Sequence, residues 1–127
     1  MDKQREFVRL RLRLAREKIK SAVILFENRS YRDAISRAYY AVYYAAKAFL
    51  LYHGQDPYTH KGVSVLFHKF CATHNKPDKS FAKMLSIMQE ARLNADYKEK
   101  VIIAKEDAQE AIVMAKSFLK EIQSLIK

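Results

Sequence analysis

The sequence predicts an all-α protein, an antiparallel helical bundle of four long helices and a shorter one. Glycine and proline number only two each among 127 residues, so long segments run without a helix breaker. Apolar residues recur at spacings of three and four along most of the chain. Half of the residues are hydrophobic, which is enough to build the core of a single domain over residues 1–127.

The first helix is predicted from about Lys3 to Glu27. Residues 9–16, RLRLRLAR, alternate with the period of a strand, but the longer window follows the helical period. Its apolar stripe consists of Val8, Leu12, Ala15, Ile19, Ala22 and Phe26. The turn at residues 28–30 then ends this helix.

The second helix is predicted to begin after Ser30 and to run to about His53, where Gly54 stops it. Ser30 and Asp33 together have the pattern of a capping box. Residues 37–50, RAYYAVYYAAKAFL, are apolar around most of the helix circumference. We therefore expect this helix to be the central one. We also expect one bundle to leave part of its apolar surface uncovered, so that the chain forms a two-fold dimer.

The second half of the chain contains three further predicted helices. The third begins with Thr59 as its cap and ends near His74, and the fourth begins with Asp78 as its cap. Residues 94–101 lose the helical periodicity and are predicted to form a loop. The last helix is predicted over about Lys105–Ile126, where apolar residues have heptad-like spacing.

Charge and composition narrow the class of protein. The formal net charge is +10, and residues 1–20 hold eight Lys or Arg against three Asp or Glu. A basic surface attracts polyanions such as nucleic acid, although a charge run is also typical of a solvated helix face. Cys71 is the one cysteine, which suits a reducing compartment, and no charge-free run is long enough to span a bilayer. We expect a cytoplasmic protein without a membrane segment.

One face of the central helix is polar. Spacings of four and three place on it Asp33, Arg37, Tyr40, Tyr44 and Lys47. On one interpretation, Arg37 pairs with Asp33, Lys47 extends into water and the tyrosines line a subunit interface. On the other, cations and phenols form a groove that neutralises phosphate and stacks on bases. Spacing along one helix leaves both interpretations open.

No metal site and no cofactor are predicted. His68, Cys71 and His74 lie three residues apart on the third helix, so their side chains fan out instead of converging on an ion. The chain has no serine nucleophile motif and no glycine-rich phosphate loop. His60, beside Lys61 at the start of the third helix, is a candidate for a binding role. The alternative is a capping or solvent-exposed histidine.

Four segments of the chain carry a family resemblance. They are RAYYAVYYAAKAFL at residues 37–50, THKGV at 59–63, ARLNADY at 91–97 and EDAQEAIVMAKSFLKEI at 106–122. Together they resemble the HEPN superfamily (higher eukaryotes and prokaryotes nucleotide-binding), and most closely its small stand-alone prokaryotic branch. The resemblance implies a helical bundle that dimerises. It also implies a minimal nucleotidyltransferase as partner, often as toxin and antitoxin.

The resemblance is incomplete at one motif. Catalytic members of the superfamily are metal-independent ribonucleases that use an arginine followed four to six residues later by a histidine, and the two meet across the dimer. Arg92 stands where that arginine would, but Asp96 and Tyr97 follow it and no histidine does. Ribonuclease chemistry of this type needs a group that titrates near neutrality, which an ordinary Asp or Tyr does not. The match therefore implies a binding or regulated site.

Three functions remain as hypotheses. The first is a dimeric HEPN-type protein that binds nucleotide, RNA or a partner nucleotidyltransferase, as one half of a toxin–antitoxin pair. Its binding residues would be Arg37, Tyr40, Tyr44, Lys47, His60, Arg92, Asp96 and Tyr97. The second is a metal-independent ribonuclease in which His60 acts beside Arg92. The third is a structural interaction module without a ligand. In relatives, the nucleotidyltransferase can modify a tyrosine of this motif region with AMP, and Tyr97 is the corresponding candidate.

Overall fold

The structure is a computed structural model that describes residues 2–127. It contains five helices, which are α1 Asp2–Glu27, α2 Tyr31–Tyr52, α3 His60–His74, α4 Lys79–Tyr97 and α5 Lys105–Leu125. The shortest, α3, has 15 residues, so the predicted all-α bundle of four long helices and a shorter one is confirmed. Over residues 2–127, no helix is both long enough and apolar enough to cross a bilayer.

Two of the three predicted N-caps are present. Oγ1 of Thr59 accepts a hydrogen bond from the N–H of Gly62 at 2.9 Å, and the Asp78 carboxylate accepts one from the N–H of Ser80 at 2.8 Å. Ser30 is the residue before α2, but its side chain makes no capping hydrogen bond, so the predicted capping box is wrong. Its ψ of 70° lies outside the extended region in which a cap side chain reaches the following N–H groups.

Gly54 ends α2, as predicted, by adopting a left-handed conformation with φ of 84°. The N–H of Gly54 bonds to the carbonyl of Leu51 at 2.9 Å, and that of Gln55 bonds to the carbonyl of Leu50 at 2.8 Å. These two bonds form a Schellman motif, which satisfies carbonyls that the helix itself leaves unpaired.

The fourth helix is longer than the sequence predicts, because residues 94–97 are helical and the loop begins only at Lys98. Arg32, at the start of α2, stabilises this helix end. Its guanidinium donates to the backbone carbonyls of Asn94, Ala95, Lys98, Glu99 and Val101. The last carbonyls of a helix have no intrahelical partner. Hydrogen bonds from Arg32 of α2 therefore extend α4 beyond the last residues that show helical apolar spacing.

The second helix is the centre of the bundle and packs against all four others. Twelve of its residues are buried. Of its large hydrophobic side chains, only that of the last residue, Tyr52, is exposed. The chain therefore buries most of the apolar surface of α2, while Tyr31, Tyr40, Tyr44 and Leu51 stay half-buried. The dimer that the sequence predicts stays a prediction.

The bundle departs from simple antiparallel alternation at one place, since α2 and α3 run in the same direction. The rings of Tyr43 and His60 stack with centroids 4.1 Å apart. Further along both helices, the rings of Phe49 and Phe67 lie 6.0 Å apart. Residues 53–59 carry the chain back along α2, and this return places the first residue of α3 beside the tyrosines of α2.

Candidate functional site

Arg92 is held from two sides near the C-terminal end of α4. Its Nε lies 2.9 Å from Oδ2 of Asp96, one turn further along. Its Nη2 donates a hydrogen bond of 2.9 Å to the hydroxyl of Tyr40 on α2. The Arg92 side chain is 16% exposed, so its guanidinium lies against α2 instead of extending into solvent. Asp96, which follows Arg92 in place of the motif histidine, is therefore the counter-ion of Arg92.

Three tyrosine rings surround this guanidinium. Its Cζ lies 5.4 Å from the ring centroids of Tyr40 and Tyr97 and 5.8 Å from that of Tyr39. A cation this close to an aromatic face is attracted by the ring quadrupole, with about 0.5–1 kcal/mol at exposed sites and more where water is excluded. The rings therefore hold the positive charge in place and restrict its motion.

One donor of Arg92 is poorly satisfied. Its Nε is buried and makes no well-directed hydrogen bond within residues 2–127. The Asp96 oxygen is close enough to form an ion pair but lies off the direction of the N–H bond. The same oxygen lies 3.3 Å from Oγ of Ser36, which donates to it. The buried Nε cannot reach a ligand, but within residues 2–127 Nη1 has no hydrogen-bond partner and is not a buried unpaired atom. A fixed guanidinium with accessible N–H groups is suited to an anionic ligand.

His60 contacts Tyr39 and Tyr40, two of the three tyrosines around Arg92, and also Tyr43. Its ring is stacked on Tyr43 with an interplanar angle of 18° and meets Tyr40 edge-on at 5.7 Å between centroids. Its Nδ1 lies 2.6 Å from the hydroxyl of Tyr39. The ring also stacks on Tyr39, with centroids 5.6 Å apart. The imidazole is thus fixed by three ring contacts and one hydrogen bond.

Two cations influence His60. Burial lowers the pKa of His60 below its usual value of 6.5, and the charges of Arg92 and Lys47 lower it further. Nζ of Lys47 lies 5.6 Å from the ring centroid of Tyr43. Burial, followed by the charge of Arg11, lowers the pKa of Lys47 as well. The imidazole is consequently neutral at pH 7 and adjoins two positive charges.

The loop before α3 is shaped to present His60. A Cβ atom at position 62 would lie only 3.0 Å from Oγ1 of Thr59, so Gly62 allows the cap to close tightly over the helix start. Arg11 of α1 forms an ion pair of 3.0 Å with Asp56 in the same loop. These contacts position the start of α3 so that His60, two residues before Gly62, packs against the tyrosines of α2.

The structure gathers most of the predicted site residues. We use the name Arg92 cluster for Tyr39, Tyr40, Tyr43, His60, Arg92, Asp96 and Tyr97. Tyr44 and Lys47 border this cluster through contacts with the ring of Tyr43. Arg37 is exposed, and within residues 2–127 it has neither an ion pair nor a side-chain hydrogen bond. The structure therefore joins Arg37 neither to the cluster nor to Asp33.

Two residues of the cluster were not singled out from the sequence. Tyr39 falls on the buried stripe of α2 by helical spacing, and Tyr43 was not assigned to the polar face. Both are buried, and their rings connect His60 with Arg92 and Lys47. The available signal was the repeat of adjacent tyrosines one turn apart, YY at residues 39–40 and again at 43–44.

Metal-binding residue types are not clustered in the described chain. Within residues 2–127, no group of three or more His, Cys, Asp or Glu side chains is arranged to hold an ion. Cys71 is fully buried, and burial raises the pKa of its thiol to about 11. A protonated, inaccessible thiol packs as a small apolar side chain.

The protein is thus an all-α bundle in which an arginine of the fourth helix faces tyrosines of the central helix. Residues 8–125 match the HEPN domain family, and the chain belongs to that family. The resemblance inferred from the motifs is thereby confirmed.

Relatives of this chain include proteins of Methanocaldococcus jannaschii and Thermotoga maritima. The chain is 32% identical over 123 residues to a Methanocaldococcus jannaschii protein named "Putative toxin MJ0605", covering 97% of this chain and 91% of that protein. It is 32% identical over 127 residues to a "UPF0332 protein" of Thermotoga maritima, covering 100% and 96%. A second Methanocaldococcus jannaschii protein, "Putative toxin MJ0142", is 28% identical over 112 residues, covering 88% and 76%.

Proposed function

We propose that this HEPN protein is toxin-like and that it binds a phosphate-bearing ligand, a nucleotide or RNA, at the Arg92 cluster. The observation that carries the proposal is the guanidinium of Arg92, fixed among three tyrosine rings with His60 and Lys47 beside it. A fixed guanidinium recognises phosphate through charge-assisted hydrogen bonds, and tyrosine rings stack on bases. The names of the two Methanocaldococcus jannaschii relatives support the toxin-like part.

Each proposed binding residue has a separate task. Arg92 and Lys47 neutralise the phosphate, while Asp96 orients the Arg92 guanidinium. Tyr97, which is 67% exposed, offers a ring face to a base, and its accessible hydroxyl is the candidate acceptor for an AMP group. Tyr40 and His60 complete the wall of the site. Arg37 and Tyr44, on the outer part of the same face of α2, extend the surface along which a longer RNA would lie.

The proposed assembly is a homodimer that works with a minimal nucleotidyltransferase as partner. Leu93 and Tyr97 lie one turn apart on α4 and are 40% and 67% exposed, so an apolar surface adjoins the Arg92 cluster. A second copy that packs against this surface would remove both side chains from water. A dimer interface at Leu93 and Tyr97 would bring the Arg92 clusters of the two copies close together.

The binding proposal is tested by fluorescence anisotropy with a labelled single-stranded RNA. Arg92→Ala removes a charge-assisted contact worth about 1.5–3 kcal/mol, so affinity should fall about tenfold to a hundredfold. Lys116→Ala, which removes an exposed cation from α5, is the matched control and should bind like the wild type. Wild-type affinity in a folded Arg92→Ala variant would overturn the proposal that RNA binds at the Arg92 cluster. A wild type that binds neither RNA nor nucleotide would favour a structural module without a ligand.

A metal-independent ribonuclease is the second candidate, and one observation favours it. Within one chain, Tyr39 and Tyr40 bring His60 next to Arg92. A neutral imidazole is the state from which a general base starts. RNA incubated with the protein in the presence of a chelator tests this candidate. If cleavage occurs, and His60→Ala abolishes it without loss of the fold, the ribonuclease replaces the binding protein.

A further inference from the structure

The hydroxyl of Tyr39 has one acceptor within reach. Tyr39 is 1% exposed, and its hydroxyl lies 2.6 Å from Nδ1 of His60. Its cationic neighbour Arg92 has donors only. Burial raises the pKa of Tyr39 well above its usual value, so the phenol keeps its proton. Within residues 2–127 this proton has no other hydrogen-bond partner, and a buried hydroxyl without an acceptor costs about 1–3 kcal/mol.

The direction of this hydrogen bond decides the tautomer of His60. When the phenol donates, the lone pair of Nδ1 accepts, and the single proton of the neutral imidazole must lie on Nε2. In the reverse arrangement Nδ1–H donates to the phenol oxygen and leaves the phenol proton unpaired. We infer that Tyr39 is a positioning residue that holds His60 in the Nε2–H tautomer, so that the imidazole presents a hydrogen-bond donor to an anion beside Arg92.

The remaining nitrogen of His60 is free to serve as that donor. Nε2 has no hydrogen-bond partner within residues 2–127 and is not a buried unpaired atom, so it reaches the surface of the cluster. Stacking on Tyr43 and the edge contact with Tyr40 hold the ring in place. A flip of the ring would break the hydrogen bond to Tyr39.

The neutral state of this donor is a consequence of its neighbours. Arg92 and Lys47 already supply two positive charges, and they disfavour a third on His60. The three side chains together offer phosphate oxygens two cations and one neutral N–H. The part of the inference that concerns the anion rests on the proposed function, whereas the tautomer follows from the contact between Tyr39 and His60 alone.

The inference also bears on the ribonuclease candidate. A general base needs a free lone pair directed at the proton it removes. In the Nε2–H tautomer the one lone pair of His60 lies on Nδ1 and is occupied by Tyr39. His60 held in this way donates a hydrogen bond to the ligand and does not accept the proton of a 2′-hydroxyl.

Nuclear magnetic resonance of protein labelled with ¹⁵N-histidine tests the tautomer directly. Two-bond proton–nitrogen correlations at neutral pH separate the Nε2–H from the Nδ1–H tautomer, and His60→Gln identifies its signal among the four histidines. The expected wild-type pattern is Nε2–H with a hydrogen-bonded Nδ1. A wild-type Nδ1–H pattern would overturn the inference, and this measurement needs no variant of the buried tyrosine.

The role of Tyr39 is tested by Tyr39→Phe. Without the phenol, the Nδ1 resonance of His60 should move to that of an unbonded nitrogen, and the pKa of His60 should rise. Tyr52→Phe is the matched control, because Tyr52 contacts the ring of His53 without a hydrogen bond to it, and it should leave His60 unchanged. Unchanged Nδ1 and pKa values in folded Tyr39→Phe would remove Tyr39 from the positioning role.

Titration with inorganic phosphate tests whether Nε2–H of His60 donates a hydrogen bond to an anion. The Nε2–H resonance of His60 should shift with phosphate in the wild type, and this response should be lost in Arg92→Ala. A wild-type Nε2–H signal that does not respond to phosphate would overturn the donor role. Since the tautomer pattern would still be present, that result is distinguishable from failure of the Tyr39 contact. If RNA binds but leaves the His60 resonances unchanged, the proposed function stands and the donor role of His60 fails.

Discussion

Nε of Arg92 and Oδ2 of Asp96 lie 2.9 Å apart, one helical turn from each other on α4, and this ion pair sets the direction of the guanidinium. Both side chains are largely shielded, at 16% and 24% exposure. Loss of the carboxylate charge would leave Arg92 partly buried without a counter-ion, which is unfavourable.

Asp96→Asn, which keeps the shape of the side chain, should therefore lower the free energy of unfolding by about 1–2 kcal/mol, between the values of a surface pair and a buried pair. Urea denaturation measures this change. Glu99→Gln is the control, since Glu99 is exposed and its carboxylate has no ion pair within residues 2–127. Equal stability of the two variants would mean that the ion pair with Arg92 contributes nothing.

The guanidinium of Arg32 stabilises the C-terminal end of α4 and the loop that follows. Arg32→Lys keeps the charge but removes the planar fork that reaches several carbonyls at once, so unfolding should become easier by about 1–2 kcal/mol. Arg37→Lys, at an exposed position one turn and a half further on, should change stability by less than about 0.5 kcal/mol. Amide hydrogen exchange should also show faster opening of residues 94–101 in Arg32→Lys, and protection equal to the wild type would argue against this cap.

Two histidines make stability depend on pH. Burial lowers the pKa of His60 and of His53, with further lowering by Arg92 and Lys47 for the first and by His74 for the second. Below a pH of about 6.5 the unfolded chain binds a proton at each site that the folded chain resists, so stability falls as the pH falls. Above about pH 7 both histidines are neutral in the folded and in the unfolded chain, so their contribution to stability no longer changes with pH.

Denaturant unfolding between about pH 5 and pH 7.5 measures that slope. The double variant His53→Gln and His60→Gln removes both groups, and its stability should decline less steeply toward acid than that of the wild type. Single variants should each remove part of the difference. An identical acid slope in wild type and double variant would show that neither histidine resists protonation in the fold.

Leu93 is the residue with which we test the proposed dimer. Sedimentation velocity at micromolar concentration should show a dimer for the wild type. Leu93→Glu places a charge in the apolar surface beside the Arg92 cluster and should shift the population to monomer. Val113→Glu introduces the same charge at a comparably exposed apolar position on α5 and should remain dimeric. A wild-type monomer, or a dimer that tolerates Leu93→Glu, would reject this interface.

The sequence by itself determined the helices and most of their ends. Apolar spacing identifies a helix because only one face of it turns to the core. Thr59 and Asp78 begin helices and Gly54 ends one, through bonds that span at most five residues, so the signal lies inside a short window. Membership of the HEPN family was also readable, since four motifs in the right order together specify it.

The tertiary structure decided what local signals could not. Ser30 has the sequence of a cap but not its backbone angle. Residues 94–97 are helical because Arg32, more than sixty residues earlier, accommodates their carbonyls. Helical spacing places Tyr39 on the core-facing side of α2. Spacing shows which face a side chain occupies but not what lies opposite it, so the contact with His60 could not be predicted.

The same limit applies to the Arg92 cluster itself. Its two defining hydrogen bonds join residues 21 and 52 positions apart, Tyr39 with His60 and Arg92 with Tyr40. Periodicity within one helix carries no information about such pairs, since they depend on the return of the loop before α3 and on the packing of α4 against α2. The sequence therefore supplied the candidate side chains, and the packing of three helices decided which of them meet.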